Sequence, residues 1–162
     1  MCYKVPRYER MYRGVFLRVF IRGQWCRTEV RVNDFLYAAL VRPVPDGGYE
    51  QWVISCDYGT VNPASFGRWG RQNGVWYRVK EFYFDSRREM RQMTDAEYAD
   101  ALEALAGGRR ITAVIVDPSA ASFIELLRRR GWNVKKADND VLSGIRRTSD
   151  LLKSGKIVIC DT

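Results

Sequence analysis

The chain has 162 residues, 46% of them hydrophobic, which suffices for one compact core and argues against two independent domains. It contains no histidine, and its four cysteines form no Cys-x-x-Cys pair, so neither a structural zinc site nor a disulfide framework is expected. No apolar run approaches the ~20 residues that a membrane-spanning helix needs, and the cytoplasm is therefore the expected compartment. The net charge of +8 favours a polyanionic partner such as DNA or RNA.

The first 48 residues are predicted to be a basic arm or linker, and residues 49–162 the folded domain. Residues 1 to about 31 mix arginines with aromatic residues and follow no clean period of a helix or a strand. The sequence RPVPDGG at 42–48 contains two prolines and two glycines, and this composition marks the best candidate boundary.

Five strands are predicted in the folded domain, at about residues 50–57, 64–70, 75–85, 111–117 and 156–160. The first three form an antiparallel meander, in which Asn73 and Gly74 supply a hairpin turn. The fourth and fifth follow helices, and right-handed crossovers make them parallel to the first strand. The expected fold is α/β, with a mixed sheet of order 3-2-1-4-5 and flanking helices.

Three helices are predicted between or after these strands. Thr94 and Glu97 form a capping box at the start of the first helix. Ser119 is expected to cap the second helix, and Asn139 or Asp140 the third, in which Val141, Ile145 and Leu152 are expected to face inward.

Asp57 and Asp117 each stand at the end of a predicted strand. If these strands are neighbours, the two residues lie on one edge of the sheet, roughly 5 Å apart. Carboxylates this close repel each other unless they share a proton or a cation. Mg²⁺ or Mn²⁺ would satisfy both, and two such ions about 4 Å apart can activate a water and stabilise the leaving oxygen of a phosphodiester. The simpler interpretation makes Asp57 a turn residue that bonds the amides of Gly59 or Thr60, and Asp117 a strand exit.

Three sequence blocks carry a family resemblance: DYGTVNP at 57–63, VDPSAASF at 116–123 and NDVLSGIR at 139–146. They are the most specific parts of a likeness, over nearly the whole chain, to the carboxy-terminal half of the large terminase subunit of tailed bacteriophages. The resemblance implies an RNase H-like nuclease domain that cuts concatemeric viral DNA during packaging and uses Mg²⁺ or Mn²⁺. It also implies the small terminase subunit and the portal or capsid as partners, in the host cytoplasm. Asp57 and Asp117 match the first two metal-binding aspartates of the family. The arm at residues 1–48 resembles the end of the family's ATPase domain, and residues 49–162 its nuclease domain without the C-terminal helix.

Two features of the family are not matched. The chain has no G-x-x-x-x-G-K-[ST] phosphate loop, since Gly155-Lys156 lacks the flanking residues, and no ATP site is therefore expected. The family's third metal-binding aspartate lies on a helix after the fifth strand, whereas the sequence ends at Thr162, so Asp161 is the candidate third ligand. The alternative function is thus a catalytically incomplete terminase fragment that only binds DNA or assembly partners. An actin-like ATPase, whose phosphate loop DYGT also resembles, would need glycines after Asp117 that are absent.

Seven cations around the last two predicted strands are candidates for contacts with the DNA backbone: Arg128, Arg129, Arg130, Lys135, Lys136, Arg146 and Arg147. Such contacts would make DNA binding fall with increasing salt. The alternative is a set of solvated helix faces with ion pairs at i,i+4, such as Glu125 with Arg129.

Overall fold

The computed structural model of the protein describes residues 41–60 and 62–160, so most of the predicted basic arm lies outside the described residues. In this part of the chain the strands are β1 (Val41–Arg42), β2 (Gln51–Asp57), β3 (Ala64–Gln72), β4 (Val75–Phe84), β5 (Ala113–Val116), β6 (Val134–Lys136) and β7 (Ile157–Cys160). The helices are α1 (Asp95–Ala106), α2 (Ala121–Arg129) and α3 (Val141–Lys153). All seven strands form one sheet of order β1-β7-β4-β3-β2-β5-β6. None of these helices is long and apolar enough to cross a bilayer.

The predicted mixed α/β fold is confirmed, and four neighbouring strands follow the predicted order. Strands β2, β3 and β4 form the antiparallel meander, and β5 lies parallel to β2 on its other side. Asn73 and Gly74 both have positive φ, 50° and 76°, as the predicted hairpin turn requires. The turn chemistry in the sequence therefore sets the register of the meander.

The predicted position of the strand at 156–160 is wrong. This strand, β7, lies parallel to β4, with Trp76 opposite Ile157, and not beside β5. The place beside β5 is taken by β6, a segment for which no strand is predicted. Val134–Lys136 is too short and too polar to show a strand pattern, and an apolar strand such as β7 does not specify its neighbour.

The hydrophobic core lies between one face of the sheet and helices α1 and α2. Its largest fully buried side chains are Ile54, Phe66, Tyr98, Leu102, Val114, Val116, Phe123 and Leu127. Successive side chains of a strand point to opposite faces, and in β2 it is Ile54 and Cys56 that are buried. Ser55 and Asp57 therefore belong to the face of the sheet away from α1 and α2.

Helix α1 begins with the predicted capping box, which is confirmed. The Thr94 hydroxyl accepts a hydrogen bond from the Glu97 amide (3.2 Å), and the Glu97 carboxylate accepts one from the Thr94 amide (2.7 Å). Gly107 ends the helix in the left-handed conformation, with φ 59°. These contacts fix where α1 starts and stops relative to the sheet.

Replacing Thr94 by alanine is expected to lower the free energy of unfolding by ~1 kcal/mol, because the Glu97 amide loses the hydroxyl that accepts its hydrogen bond. The pKa of Glu97 is held below its usual 4.5 by the Thr94 amide, by Arg91 and by the Thr94 hydroxyl. A carboxylate with a lowered pKa stabilises the folded state at every pH above its ordinary pKa. This stabilisation is lost as the pH falls through the lowered pKa, so the effect of Thr94→Ala should shrink in acid. Urea denaturation at neutral and acidic pH checks both points, with Thr94→Ser as the control that keeps the cap. Equal stability of the alanine variant and the wild type at neutral pH would contradict the prediction.

Candidate metal centre

The pairing of β2 with β5 brings the two predicted aspartates to the same edge of the sheet. Asp57 is the last residue of β2, and Asp117 directly follows β5. The strands run parallel, and the preceding residues, Cys56 and Val116, are partners in the register. Since neighbouring strands lie about 5 Å apart, the two acidic residues leave the sheet side by side.

Asp57 is exposed, and its carboxylate has no partner within the described residues. The simpler interpretation of Asp57, a turn residue bonded to the amides of Gly59 or Thr60, is therefore not what the structure shows. A carboxylate at a sheet edge without a protein donor has all its lone pairs available for an external ligand.

Asp117 is held by its own loop. Its carboxylate accepts a hydrogen bond from the Ser119 amide (2.7 Å), and its carbonyl accepts one from the Ala120 amide (3.1 Å). The side chain and the amide of Ser119, and the side chain of Asn139, lower the pKa of Asp117. The strand-exit interpretation of Asp117 is thus correct, but a bonded carboxylate that stays ionised also suits a cation ligand.

The start of α2 differs from the prediction. Ser119 does not cap this helix, whose first flanking residue is Ala120 and has no side-chain cap. Ser119 faces Asp117 instead, because the turn after β5 directs its amide back to the carboxylate. For α3 the prediction is confirmed, since the Asp140 side chain accepts a hydrogen bond from the Ser143 amide (3.2 Å).

The loop that follows Asp57 is anchored to both core helices. The Tyr58 hydroxyl donates to the Asp95 carboxylate in the first turn of α1. The Tyr58 ring stacks on Phe123 of α2, with ring centroids 4.7 Å apart. The Tyr98 hydroxyl donates to the Gly59 carbonyl (2.9 Å). Burial and the bond to Asp95 raise the pKa of Tyr58, so the hydroxyl keeps its proton over the whole physiological range.

The donors at this edge fit a hard divalent cation, although two carboxylates are all that the described residues supply. Within residues 41–60 and 62–160, no group of three or more cysteine, aspartate and glutamate side chains is arranged to hold a metal ion. Asp161 lies outside the described residues, and its role as a third ligand stays a prediction. Its neighbour Cys160 belongs to β7, three strands from β2 and thus about 14 Å across the sheet.

Two of the seven candidate DNA-binding cations are neutralised by acids of the protein. Arg129 pairs with Glu125 at 3.1 Å, the i,i+4 pair that the sequence suggests. Arg130 pairs with both Asp100 and Glu103 of α1. Arg129 forms an ion pair within α2, and Arg130 connects the end of α2 to α1. The charge of both arginines is therefore less available to DNA.

The two lysines of β6 lie close to the aspartates. Lys136 is the register partner of Val116, and Lys135 the partner of Ile115, so Lys136 stands one strand away from the residue that precedes Asp117. Both side chains are exposed, and neither has an acidic partner in the described part of the chain.

The remaining candidate cations are also exposed and lack acidic partners among the described residues: Arg128 of α2, and Arg146 and Arg147 of α3. The two α3 arginines line a surface groove of ≈ 610 Å³ together with Asp140. Asn139, next to Asp140, interacts with the Asp117 carboxylate, so the first turn of α3 adjoins the candidate site.

Several solved structures are similar to this protein in sequence and fold. The large terminase of a thermophilic bacteriophage, solved in complex with ADP, is 45% identical over 99% of this chain, with a TM-score of 0.78. This chain spans 41% of that protein. No protein-family model matches the sequence, and no curated protein matches it either.

Two nuclease structures of lower identity share the fold. The nuclease domain of the P22 large terminase is 15% identical over 81% of this chain and 72% of its own, with a TM-score of 0.64. The large terminase nuclease of the thermophilic phage G20c, solved with bound zinc, is 16% identical over 76% of this chain and 77% of its own, with a TM-score of 0.57. The chain belongs to the large terminase family of bacteriophages, and its described part has the RNase H-like fold of the family's nuclease domain.

Proposed function

We propose that this domain is the metal-dependent endonuclease of a DNA-packaging terminase and hydrolyses phosphodiester bonds of double-stranded DNA. The observation that carries the proposal is the register of β2 and β5, which sets Asp57 and Asp117 side by side at one sheet edge. The nuclease of phage G20c, which has the same fold, is a zinc-bound structure, and this supports a divalent cation here. Mg²⁺ or Mn²⁺ is proposed because both donors are hard carboxylate oxygens.

Asp57 and Asp117 would hold the metal, with Asp57 supplying an unshared carboxylate and Asp117 one whose orientation is fixed by the Ser119 amide. When bound, two such ions supply the Lewis acidity that activates water and stabilises the leaving oxygen. The chain has no histidine, which fits a reaction that does not depend on an imidazole base. By family, the small terminase subunit and the portal or capsid are the proposed assembly partners, in the host cytoplasm.

The direct test is incubation of the protein with supercoiled plasmid in Mn²⁺, in Mg²⁺ and in EDTA. Nicked and linear products are expected with either metal, and none in EDTA. Plasmid that stays intact at every metal concentration, under conditions in which the protein is folded, would contradict an endonuclease.

A catalytically incomplete module that binds DNA without cutting it is the second candidate. It is favoured by one observation, that the described residues place only two carboxylates at the edge and no group of three. This function predicts DNA binding and Mn²⁺ binding without cleavage. Cleavage that depends on the two aspartates would exclude it.

Replacing Lys135 and Lys136 together by alanine is expected to weaken DNA binding and to reduce the salt slope by about one for each of the two lysines that contacts a phosphate. Fluorescence anisotropy with a labelled duplex, between about 50 and 200 mM salt, measures both quantities. Arg129→Ala is the matched control, because its guanidinium is already paired with Glu125. An unchanged salt slope in the double variant would show that the β6 lysines do not contact DNA.

A further inference from the structure

The position of the Asp57 carboxylate depends on the backbone alone. No side chain or amide of the described residues bonds to it, so its direction follows from how the end of β2 is held. On one side the strand ladder reaches the last residue, with Asp57 opposite Ser65 of β3. Beyond Asp57 the ladder stops, and a different set of contacts must fix the chain.

Those contacts come from the core helices. Tyr58 is half-buried, its ring lies against Phe123 (4.7 Å) and Tyr98 (5.2 Å), and its hydroxyl donates to Asp95. Asp95 is the first residue of α1, whose start is fixed independently by the capping box. Tyr58 is therefore attached to a rigid point, not to another part of the same loop.

Because Tyr58 directly follows Asp57, the fixed position of the tyrosine also determines the face of the sheet to which the Asp57 side chain points. Adjacent side chains point to opposite faces, so a tyrosine directed at the helices leaves the preceding carboxylate on the opposite face. The turn that follows is tight: a Cβ at Gly59 would meet the Asn62 carbonyl oxygen at 2.4 Å. The Tyr98 hydroxyl adds a bond to the Gly59 carbonyl, so residues 58 and 59 are both tied to α1.

We propose that Tyr58 is a positioning residue for the metal centre, which through its hydrogen bond to Asp95 holds the Asp57 carboxylate in register with Asp117. This inference rests on the proposed metal site. It assigns to the tyrosine the part that outer-shell partners play in other metal sites, where they orient a ligand without touching the ion.

The test uses Tyr58→Phe, which keeps the ring and its stacking on Phe123 and removes only the hydrogen bond to Asp95. The Kd for Mn²⁺, measured by titration calorimetry, is expected to rise about tenfold, the lower end of the effect of losing an outer-shell partner. Asp95→Ala should give the same rise, and the double variant no more, because both remove one interaction. Asp95→Asn keeps an acceptor oxygen and should retain most of the affinity.

Tyr83→Phe is the matched control, since this tyrosine is 58% exposed and belongs to β4, two strands from β2. Amide hydrogen exchange of the metal-free protein is the second readout, and faster exchange at residues 58–60 is expected in Tyr58→Phe but not in Tyr83→Phe. Wild-type affinity and wild-type exchange in Tyr58→Phe, with only a lower melting temperature, would overturn the proposal. If the wild type itself binds no Mn²⁺, or Asp57→Asn binds it as tightly, the proposed metal site fails and the role of Tyr58 fails with it.

Discussion

Replacing Asp57 by asparagine is expected to lower the Mn²⁺-dependent cleavage rate by at least about a hundredfold, because a direct ligand should matter more than the outer-shell partners that cost 10–100-fold. The free energy of unfolding should change by less than ~0.5 kcal/mol, since the carboxylate is exposed and has no partner in the described residues. Asp117→Asn should lose as much activity. Its folding should also be little affected, because an amide oxygen can still accept the bond from the Ser119 amide.

Asp85→Asn is the matched control for these variants. Asp85 also follows a strand, but it accepts a hydrogen bond from the Arg87 amide (3.0 Å) and lies beyond β4, two strands from β2. Its replacement should leave the cleavage rate close to that of the wild type. Equal activity in Asp57→Asn and Asp85→Asn, measured in the same plasmid assay, would show that the acid at the end of β2 has no catalytic part.

Replacing Phe123 by alanine is expected to be the most destabilising change, at ~3–5 kcal/mol. Phe123 is fully buried, and its ring contacts Tyr58 (4.7 Å), Phe66 (5.8 Å) and Tyr98 (6.3 Å). The alanine leaves a cavity between α2 and the sheet, and a loss of this size is a large part of the roughly 5–15 kcal/mol typical of a domain. Urea denaturation measures the loss.

Arg128→Ala, on the same helix, controls for helix propensity, because this side chain is exposed and unpaired within the described residues. It should change stability by no more than ~0.5 kcal/mol. Phe123→Ala should in addition weaken Mn²⁺ binding at temperatures where the variant is still folded, since Tyr58 loses the ring on which it stacks. A destabilisation below ~1 kcal/mol, against the range expected for a buried phenylalanine, would mean that the core does not pack as described.

Local signals in the sequence predicted the elements of the fold better than their arrangement. The Asn73-Gly74 turn and the Thr94–Glu97 capping box are each decided by residues within a few positions, and both are confirmed. The neighbour of β7 is decided by contacts between distant segments, and the apolar sequence of a strand does not specify which other strand it pairs with. Helix α3 shows the same limit, because Ile145 and Leu152 are predicted to face inward and are only partly buried.

The candidate site divides in the same way. Asp57 and Asp117 are visible in the sequence because an acid that ends an apolar run is conspicuous, and the pairing of β2 with β5 brings them to one edge. Tyr58 is not visible, since its partner Asp95 is 37 residues away and a tyrosine after a strand suggests only core packing. The arginines also show that local pairs are predictable and distant ones are not. Arg129 pairs with Glu125 within its helix, as the sequence suggests, whereas Arg130 pairs with Asp100, which is 30 residues away.

The most direct measurement is the location of Mn²⁺ by anomalous scattering in crystals soaked with the ion. We expect density at the edge formed by the ends of β2 and β5, with oxygens of both Asp57 and Asp117 in the coordination sphere, and its loss in crystals of Asp57→Asn. An ion bound by one of these carboxylates without the other, or no ion at this edge at a saturating concentration, would contradict this expectation.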